Sequence, residues 1–347
     1  MGPRILSVST AVPTNRMPQV EVRDFGEAFF GGKIRGLDRL LQVYDNAAIQ
    51  TGHCCLPKSW YEAPDHGFAE KNSLYIEHAV GLLKDAAVRC LAAGNTDASE
   101  VDLIVTVSTT GISTPSLDAR LMAEIPFRPD VQRLPIFGLG CAGGVLGLAR
   151  AAACARAVPP AKVLFLVVEL CTLTFRGRDR SAKNLVATAL FRDGAAAVLL
   201  ATDGSGPRVV AWGEHTWPNS LEVMGWEVAD DGLGVVFSKS IPDLVRRQMR
   251  GVTERFLAGL GLSVGDIDGF VCHPGGAKVL DAIGEALDLP DRALEHSRSV
   301  LRDYGNMSAA TVFFVLDRML RKGQARRHLM TSLGPGFSAA FLLLESD

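Results

Sequence analysis

Three short segments of this chain contain residue types that nucleophilic catalysis uses. The first is Gly140-Cys-Ala-Gly-Gly144, in which Cys141 follows an apolar run and precedes a stretch rich in alanine, leucine and arginine. The second is His273-Pro-Gly-Gly276, and the third is Tyr304-Gly-Asn-Met-Ser308. Cysteine, histidine and asparagine together are the residues of a thiol nucleophile with two polar partners, so we take these segments as the candidate site.

The position of Cys141 predicts a reactive thiol. The apolar run before it resembles a strand, and a helix is predicted from about Val145 to Ala157. A cysteine at such a turn meets the unpaired N–H groups and the positive dipole end of the helix, which should lower the pKa of the thiol. Taken singly, a buried cysteine, a histidine at a strand end and an asparagine after glycine are all common structural residues.

The elements that must position these residues alternate between strand and helix, which predicts an α/β fold. Strands are predicted at 102–107, 162–168, 195–201, 268–272 and 339–344. Helices are predicted at 71–93, 116–124, 146–157, 241–259, 277–287 and 309–321.

A weak internal duplication relates the two halves of the chain. Residues 193–203 are similar to 336–347, and residues 101–107 are similar to 267–273. The glycine- and proline-containing loop at 202–207 is the best boundary, which gives a half at 1–204 with Cys141 and a half at 205–347 with the histidine and asparagine. Two similar halves packed back to back would place the site between them.

Composition excludes several classes of protein. The 347 residues are 48% hydrophobic and 21% charged with a net charge of −2, so we expect no nucleic-acid partner. The seven cysteines are odd in number and no secretion signal precedes them, which favours reduced thiols and a cytoplasmic protein. We expect no metal site, because no CxxC pair and no paired histidines occur, and no membrane span, because no apolar run is long enough.

Four motifs resemble those of the type III polyketide synthases, the chalcone and stilbene synthase family. They are Gly140–Gly144, His273–Gly276, Tyr304–Ala309 and Gly334-Pro-Gly-Phe337, in the family's order and at similar spacing. Residues 107–115 and 191–198 resemble further family segments, so the resemblance extends from Pro3 to the C-terminus. It implies a thiolase-like fold, in which two duplicated α/β halves form five αβαβα layers, and a homodimer.

The resemblance also implies a role for each residue of the trio. Cys141 would attack an acyl-CoA thioester and hold the acyl group. His273 would form an ion pair with the thiolate. With Asn306, it would then donate hydrogen bonds to the thioester oxygen of malonyl-CoA as CO2 leaves. Because decarboxylation itself generates the carbanion, we expect no cofactor.

Other residues match family positions that line the substrate cavity. Phe191 corresponds to an aromatic residue near the thiol that gates decarboxylation, and the glycine-rich loop would shape the cavity floor. The full set of expected lining residues is Thr109, Thr110, Thr174, Phe191, Val235, Ser308, Gly334, Pro335, Gly336 and Phe337.

Three departures from the plant pattern affect the expected substrates. Val235 replaces a second gating phenylalanine, which suggests a wider cavity, and Thr114 replaces a methionine that reaches across the plant dimer. Of the basic residues that bind CoA phosphates, only Arg39 is kept, whereas Gln42 and Asn46 replace the other two. This leaves open whether other basic residues bind CoA, or whether an acyl carrier protein delivers the starter.

Residues 224–233 resemble bacterial members that make alkylpyrones or alkylresorcinols, so we expect a fatty acyl-CoA starter and a pyrone or resorcinol product. The starter, the number of malonyl extensions and the mode of cyclisation stay open. Three alternatives also stay open: a one-step β-ketoacyl-carrier-protein synthase III, a cysteine thioesterase or hydrolase, and a non-catalytic protein of the same fold.

Overall fold

The computed structural model describes residues 2–63, 66–158, 161–323 and 326–346. Within these ranges the helices are α1 (Gln19–Phe30), α2 (Leu37–Asn46), α3 (Lys58–Glu62), α4 (Phe68–Ala93), α5 (Leu117–Leu121), α6 (Gly143–Ala157), α7 (Ala182–Leu190), α8 (Ile241–Ala258), α9 (Ala277–Leu287), α10 (Glu295–Tyr304) and α11 (Thr311–Lys322). The strands in the same ranges are β1 (Arg4–Ala11), β2 (Asn15–Pro18), β3 (Thr51–Cys54), β4 (Leu103–Val107), β5 (Gln132–Ile136), β6 (Lys162–Leu170), β7 (Asp193–Ala201), β8 (Arg208–Thr216), β9 (Met224–Ala229), β10 (Gly232–Phe237), β11 (Gly269–Cys272), β12 (Arg327–Gly334) and β13 (Ser338–Glu345).

Nine of the described strands form one sheet in the order β11-β12-β13-β8-β1-β7-β6-β4-β5. A single residue pair, Arg4 with Arg208, joins β1 to β8, so the sheet divides there into an N-terminal and a C-terminal part. The two parts repeat one pattern. Strand β4 runs parallel to β6 as β11 runs parallel to β12, and β6-β7-β1 is antiparallel throughout, as is β12-β13-β8.

This repeated topology confirms the duplication predicted from the sequence. The similar segments at 101–107 and 267–273 contain β4 and β11, and those at 193–203 and 336–347 contain β7 and β13. Each pair occupies the same place in its part of the sheet.

Three buried apolar clusters arrange the chain in five layers. Helices α6 and α11 share a core with side chains from both parts of the sheet, such as Phe165 and Leu342. Helix α4 covers the outer face of the N-terminal part, and α8 and α9 cover that of the C-terminal part. The order of layers is therefore helix, sheet, helix, sheet, helix, as expected for a thiolase-like fold.

The small residues of α6 allow close packing at the centre of these layers. A Cβ on Gly144 would lie 2.3 Å from the Ala309 carbonyl oxygen, and a Cβ on Gly147 would lie 2.5 Å from Val107 Cγ2. Both distances are shorter than real Cβ contacts, so only glycine allows α6 to approach the neighbouring segments this closely. The N-terminus of α6, and with it Cys141, is thereby fixed between the two parts of the sheet.

Most predicted elements form, with shifts at their ends. Helix α9 has the predicted bounds, whereas α4 begins three residues earlier than expected and the helix expected at 116–124 is limited to Leu117–Leu121. Helix α6 begins at Gly143, because its glycines pack as described above. The prediction missed the helices α1, α2, α3, α7 and α10 and the strands β2, β3, β8, β9, β10 and β12.

Among the described residues, each helix is too short or too polar to cross a lipid bilayer. In the same part of the chain, no three histidine, cysteine, aspartate or glutamate side chains cluster as metal ligands would.

Candidate active site

Cys141 lies in a single helical turn, Gly140–Ala142, immediately before α6. Gly140 has a φ of +48°, and a Cβ there would lie 2.6 Å from Pro335 Cδ, so this turn requires glycine. The thiol donates to Ser308 Oγ at 3.5 Å, and the Cys141 carbonyl accepts a 2.5 Å hydrogen bond from Ser332 Oγ. Two serines from the C-terminal part of the chain thus fix the position of the nucleophile.

His273 directly follows β11, where its backbone N–H donates to the Thr331 carbonyl at 2.9 Å. Its neighbour Cys272 packs in the outer core under α8 and α9. His273 instead lines a cavity with Cys141. Only one of these two neighbours faces the site, as the alternation of side chains along a strand predicts.

The side chain of Asn306 is oriented by two hydrogen bonds. Its Nδ2 donates to the Gly275 carbonyl at 3.0 Å, and its Oδ1 accepts from the Ser308 backbone N–H at 2.8 Å. These bonds fix which end of the amide carries the nitrogen, and they use one of its two N–H groups. The other N–H remains to bind an oxygen in the cavity.

Cys141, His273 and Asn306 line the same cavity, which has a volume of about 20 Å³. We call it the central cavity; its other walls include Thr331, Ser332 and apolar side chains from α8 and α9. Three residues separated by up to 165 positions in the sequence are therefore brought to one point, where the two parts of the sheet meet.

The expected ion pair between Cys141 and His273 is not supported in this closed site. Burial raises the pKa of the Cys141 thiol to about 12, although the hydrogen bond to Ser308 opposes this. Burial also lowers the pKa of His273 to about 3, so both groups are neutral near pH 7. The prediction of a low thiol pKa is therefore wrong here, because burial of the thiol has the largest effect and the charge of Glu169 adds to it.

A side cavity of about 40 Å³ adjoins Cys141. Of the residues expected to line the substrate cavity, it contacts Thr109, Phe191, Val235, Ser308 and Pro335. A neighbouring cavity of about 60 Å³, which we call the deep cavity, is lined by Phe191, Val235 and Thr174. Most of its surface is apolar, although charged side chains such as Arg176 also line it. Phe191 and Val235 thus line both cavities.

The other expected lining residues lie elsewhere. Thr110 borders a crevice of about 10 Å³, and its hydroxyl accepts a hydrogen bond from the Leu170 backbone. Phe337 is fully buried in the outer core, with its ring 5.3 Å from that of Trp217. The backbone of Gly334 packs on Ala142, and Gly336 adopts a φ of +127°. Within the loop Gly334–Phe337, Pro335 therefore lines the side cavity, whereas the buried ring of Phe337 fixes the loop to the outer core.

Two residues near Cys141 escaped the sequence analysis. Trp226 lines the side cavity, and its Nε1 donates to the Thr109 carbonyl at 3.0 Å. Glu169 is fully buried and accepts a hydrogen bond from the Thr109 backbone N–H, while burial raises its pKa to about 7. Two sequence signals could have identified them as site residues. Trp226 is a tryptophan within a polar segment, and Glu169 is a glutamate near the end of an apolar strand.

An outer cleft of about 440 Å³ opens beside the central cavity and shares Gly275 with it. Arg39, Gln42 and Asn46 of α2 line one side of this cleft. Three exposed lysines that the sequence analysis did not single out line it as well: Lys183, Lys239 and Lys278. Basic side chains from four segments therefore surround the entrance to the site.

Comparisons with known proteins agree with this geometry. The family described as chalcone and stilbene synthases matches residues 3–204 with its N-terminal domain and residues 209–346 with its C-terminal domain. A 1,3,6,8-tetrahydroxynaphthalene synthase from Streptomyces peucetius subsp. caesius is 38% identical over 99% of this chain and 93% of its own length. A 3,5-dihydroxyphenylacetyl-CoA synthase from Amycolatopsis balhimycina is 30% identical over 99% of this chain and 92% of its own.

Among solved structures, the chain is similar to 1,3,6,8-tetrahydroxynaphthalene synthase from Streptomyces coelicolor A3(2), a bacterial type III polyketide synthase. The TM-score is 0.94 with 27% identity, over 99% of both chains. Fold and site together define an acyl-transferring enzyme with a thiolase-like fold. The chain belongs to the chalcone and stilbene synthase family and is a type III polyketide synthase.

Proposed function

We propose that the chain condenses malonyl-CoA repeatedly onto an acyl group bound to Cys141. In the first step, Sγ attacks the thioester carbonyl of the starter, the carbon–sulfur bond to CoA breaks, and the thiol proton neutralises the departing CoA thiolate. The observation that carries this proposal is the shared central cavity, which places one nucleophile beside two side chains able to donate N–H groups.

In the second step, malonyl-CoA loses CO2 and its thioester oxygen gains negative charge. The free N–H of Asn306 and a ring N–H of His273 would donate to that oxygen, and each such donor contributes about 3 kcal/mol to the transition state. The enolate carbon then attacks the acyl thioester, a carbon–carbon bond forms, and the Cys141 thiolate is released. No metal or organic cofactor enters this scheme, because loss of CO2 supplies the electron pair.

The outer cleft supports binding of CoA. Arg39 is basic, as at the corresponding position of the plant enzymes, whereas Gln42 and Asn46 are uncharged. The positive charge that these two lack is supplied in the cleft by Lys183, Lys239 and Lys278. We propose that these side chains bind the CoA phosphates while the pantetheine arm passes Gly275 toward Cys141. The same basic side chains would suit an acidic acyl carrier protein as an alternative donor of the starter. We further propose that the enzyme is located in the cytoplasm.

We propose a fatty acyl starter and a pyrone or resorcinol product. What supports this is the deep cavity, whose surface is mainly apolar and includes Phe191 and Val235. A second candidate is a hydroxylated naphthalene, which the 38% identity to a tetrahydroxynaphthalene synthase favours. Both use the same trio and differ in what fills the side and deep cavities.

Mass spectrometry of products separates these possibilities. The purified protein is incubated with malonyl-CoA alone and with a panel of acetyl-, long-chain acyl- and p-coumaroyl-CoA starters. Pyrones or resorcinols with two or three malonyl units on a long acyl chain support the proposal. A naphthalene from malonyl-CoA alone supports the second candidate. A single β-keto product would show a one-step synthase, and release of free acid without malonyl consumption would show a hydrolase.

A further inference from the structure

The two ring nitrogens of His273 have no hydrogen-bonding partner among the residues that the structure describes, although the residue is only 4% exposed. The Nε2 edge of the ring lies toward Gly275, because a Cβ on that glycine would be 3.6 Å from Nε2. The Gly275 carbonyl also accepts the hydrogen bond from Asn306 Nδ2. Nε2 therefore lies beside the same glycine that binds the Asn306 side chain.

The function proposed for His273 requires its proton on one nitrogen. A neutral imidazole carries a single N–H, so donation to an oxygen beside Asn306 needs that proton on Nε2. The lone pair of Nδ1 must then accept a hydrogen bond, or the other tautomer competes. Within the described residues, nothing donates to Nδ1 directly.

Thr331 is the residue placed to satisfy this need. It lies on β12, is 1% exposed, and lines the central cavity together with His273. Its hydroxyl also lacks a partner among the described residues, and apolar side chains such as Ile283 line the same cavity. The neighbouring Ser332 is not available, because its hydroxyl already donates to the Cys141 carbonyl.

The central cavity has room for a buried water molecule. It measures about 20 Å³, and a single buried water needs about 10–15 Å³ and two or more polar partners. Buried hydroxyl and imidazole groups in proteins are almost always hydrogen-bonded, to protein or to such a water. His273 and Thr331, whose Nδ1 and hydroxyl have no other partner among the described residues, both line this cavity.

We infer that Thr331 is a positioning residue for His273, acting through one buried water. The Thr331 hydroxyl donates to the water, the water donates to Nδ1, and the ring proton is thereby kept on Nε2. This inference rests on the proposed donor role of His273 in malonyl decarboxylation. It assigns Thr331 no contact with the substrate.

The tautomer can be observed without turnover by NMR of protein labelled with ¹⁵N-histidine. The chain has seven histidines, and His273→Gln identifies the signal of His273. Wild type is expected to show a protonated Nε2 and an unprotonated Nδ1. Thr331→Val, which keeps the shape but removes the hydroxyl, is expected to give a mixture of tautomers, whereas Thr331→Ser is expected to match wild type. A wild-type spectrum with the proton on Nδ1, or an unchanged Val variant, would overturn the inference.

Kinetics provide a second readout that a purely structural role would not produce. In Thr331→Val, decarboxylation of malonyl-CoA should fall about tenfold, the effect of weakening one hydrogen bond, while acylation of Cys141 stays near the wild-type rate. Thr331→Ser should restore decarboxylation. Equal loss of both steps, with a lower melting temperature, would show a packing role only. If wild-type enzyme neither acylates nor decarboxylates, the proposed function fails, and the NMR result still decides the tautomer.

Discussion

Asn306 is oriented so that one N–H group is committed and one is free, through its bonds to Gly275 and Ser308. We expect Asn306→Ala to leave acylation of Cys141 largely intact and to reduce decarboxylation of malonyl-CoA about 10²- to 10³-fold, because one donor to the developing oxyanion is lost. Release of ¹⁴CO2 and intact-protein mass spectrometry measure the two steps separately. Full decarboxylation by the Ala variant would show that Asn306 is not the oxyanion donor.

The neutral state of the trio predicts a pH dependence. Because burial raises the pKa of Cys141 to about 12, the thiolate is the minor form below that value and its fraction rises about tenfold per pH unit. Alkylation of Cys141 by iodoacetamide in substrate-free enzyme should therefore keep rising from pH 6 to pH 9. Peptide mapping distinguishes Cys141 from the other free cysteines. A rate that is level above pH 7 would instead demonstrate the thiolate–imidazolium pair.

At the scale of elements, the β9–β10 hairpin forms a wall of the side cavity through Trp226 and Val235. Val235→Phe should shorten the accepted starter or the product, because the larger ring narrows the passage to the deep cavity, while decarboxylation remains within about threefold of wild type. Val228→Phe is the matched control, since Val228 lies on the same hairpin and is 75% exposed. An unchanged product profile in Val235→Phe would remove the hairpin from substrate selection.

The contrast between α9 and this hairpin shows what a sequence can predict. Helix α9 has strong 3.6-residue periodicity and formed with the predicted bounds, and Cys141 and His273 follow local strand-end signals. The side cavity depends on Trp226 meeting Thr109 across 117 positions, a contact that no local pattern encodes. The raised thiol pKa likewise follows from burial of Cys141, which depends on packing of distant segments.

The site is complete only where the two parts of the sheet meet. Cys141 comes from the N-terminal part, yet Ser332 and Ser308 of the C-terminal part bind its carbonyl and thiol. In return, the backbone N–H of Asn306 donates to the Leu190 carbonyl at 3.0 Å. Each part thus completes the other's half of the site. The boundary between residues 204 and 205 stays a prediction.

We also propose that the protein is a homodimer. Phe137 follows the edge strand β5 and is 60% exposed, and Ile112 follows β4 and is 52% exposed. The backbone N–H of Ser108 donates to the Ile136 carbonyl at 3.3 Å, which holds the two loops side by side. Exposed aromatic and aliphatic groups beside an open strand edge are typical of a surface that a second copy covers.

We therefore expect Phe137→Asp to weaken dimerisation at least about 30-fold, because a buried aromatic anchor typically contributes 2 kcal/mol or more and a carboxylate opposes burial. Light scattering coupled to size-exclusion chromatography across a dilution series measures the change. Leu221→Asp is the control, since Leu221 is 79% exposed in the loop after β8 and should leave the dimer intact. A wild-type monomer at all concentrations would refute the dimer, and equal effects of both variants would place the interface elsewhere. Acylation of Cys141 in a Phe137→Asp monomer would further show that one chain supplies the complete trio.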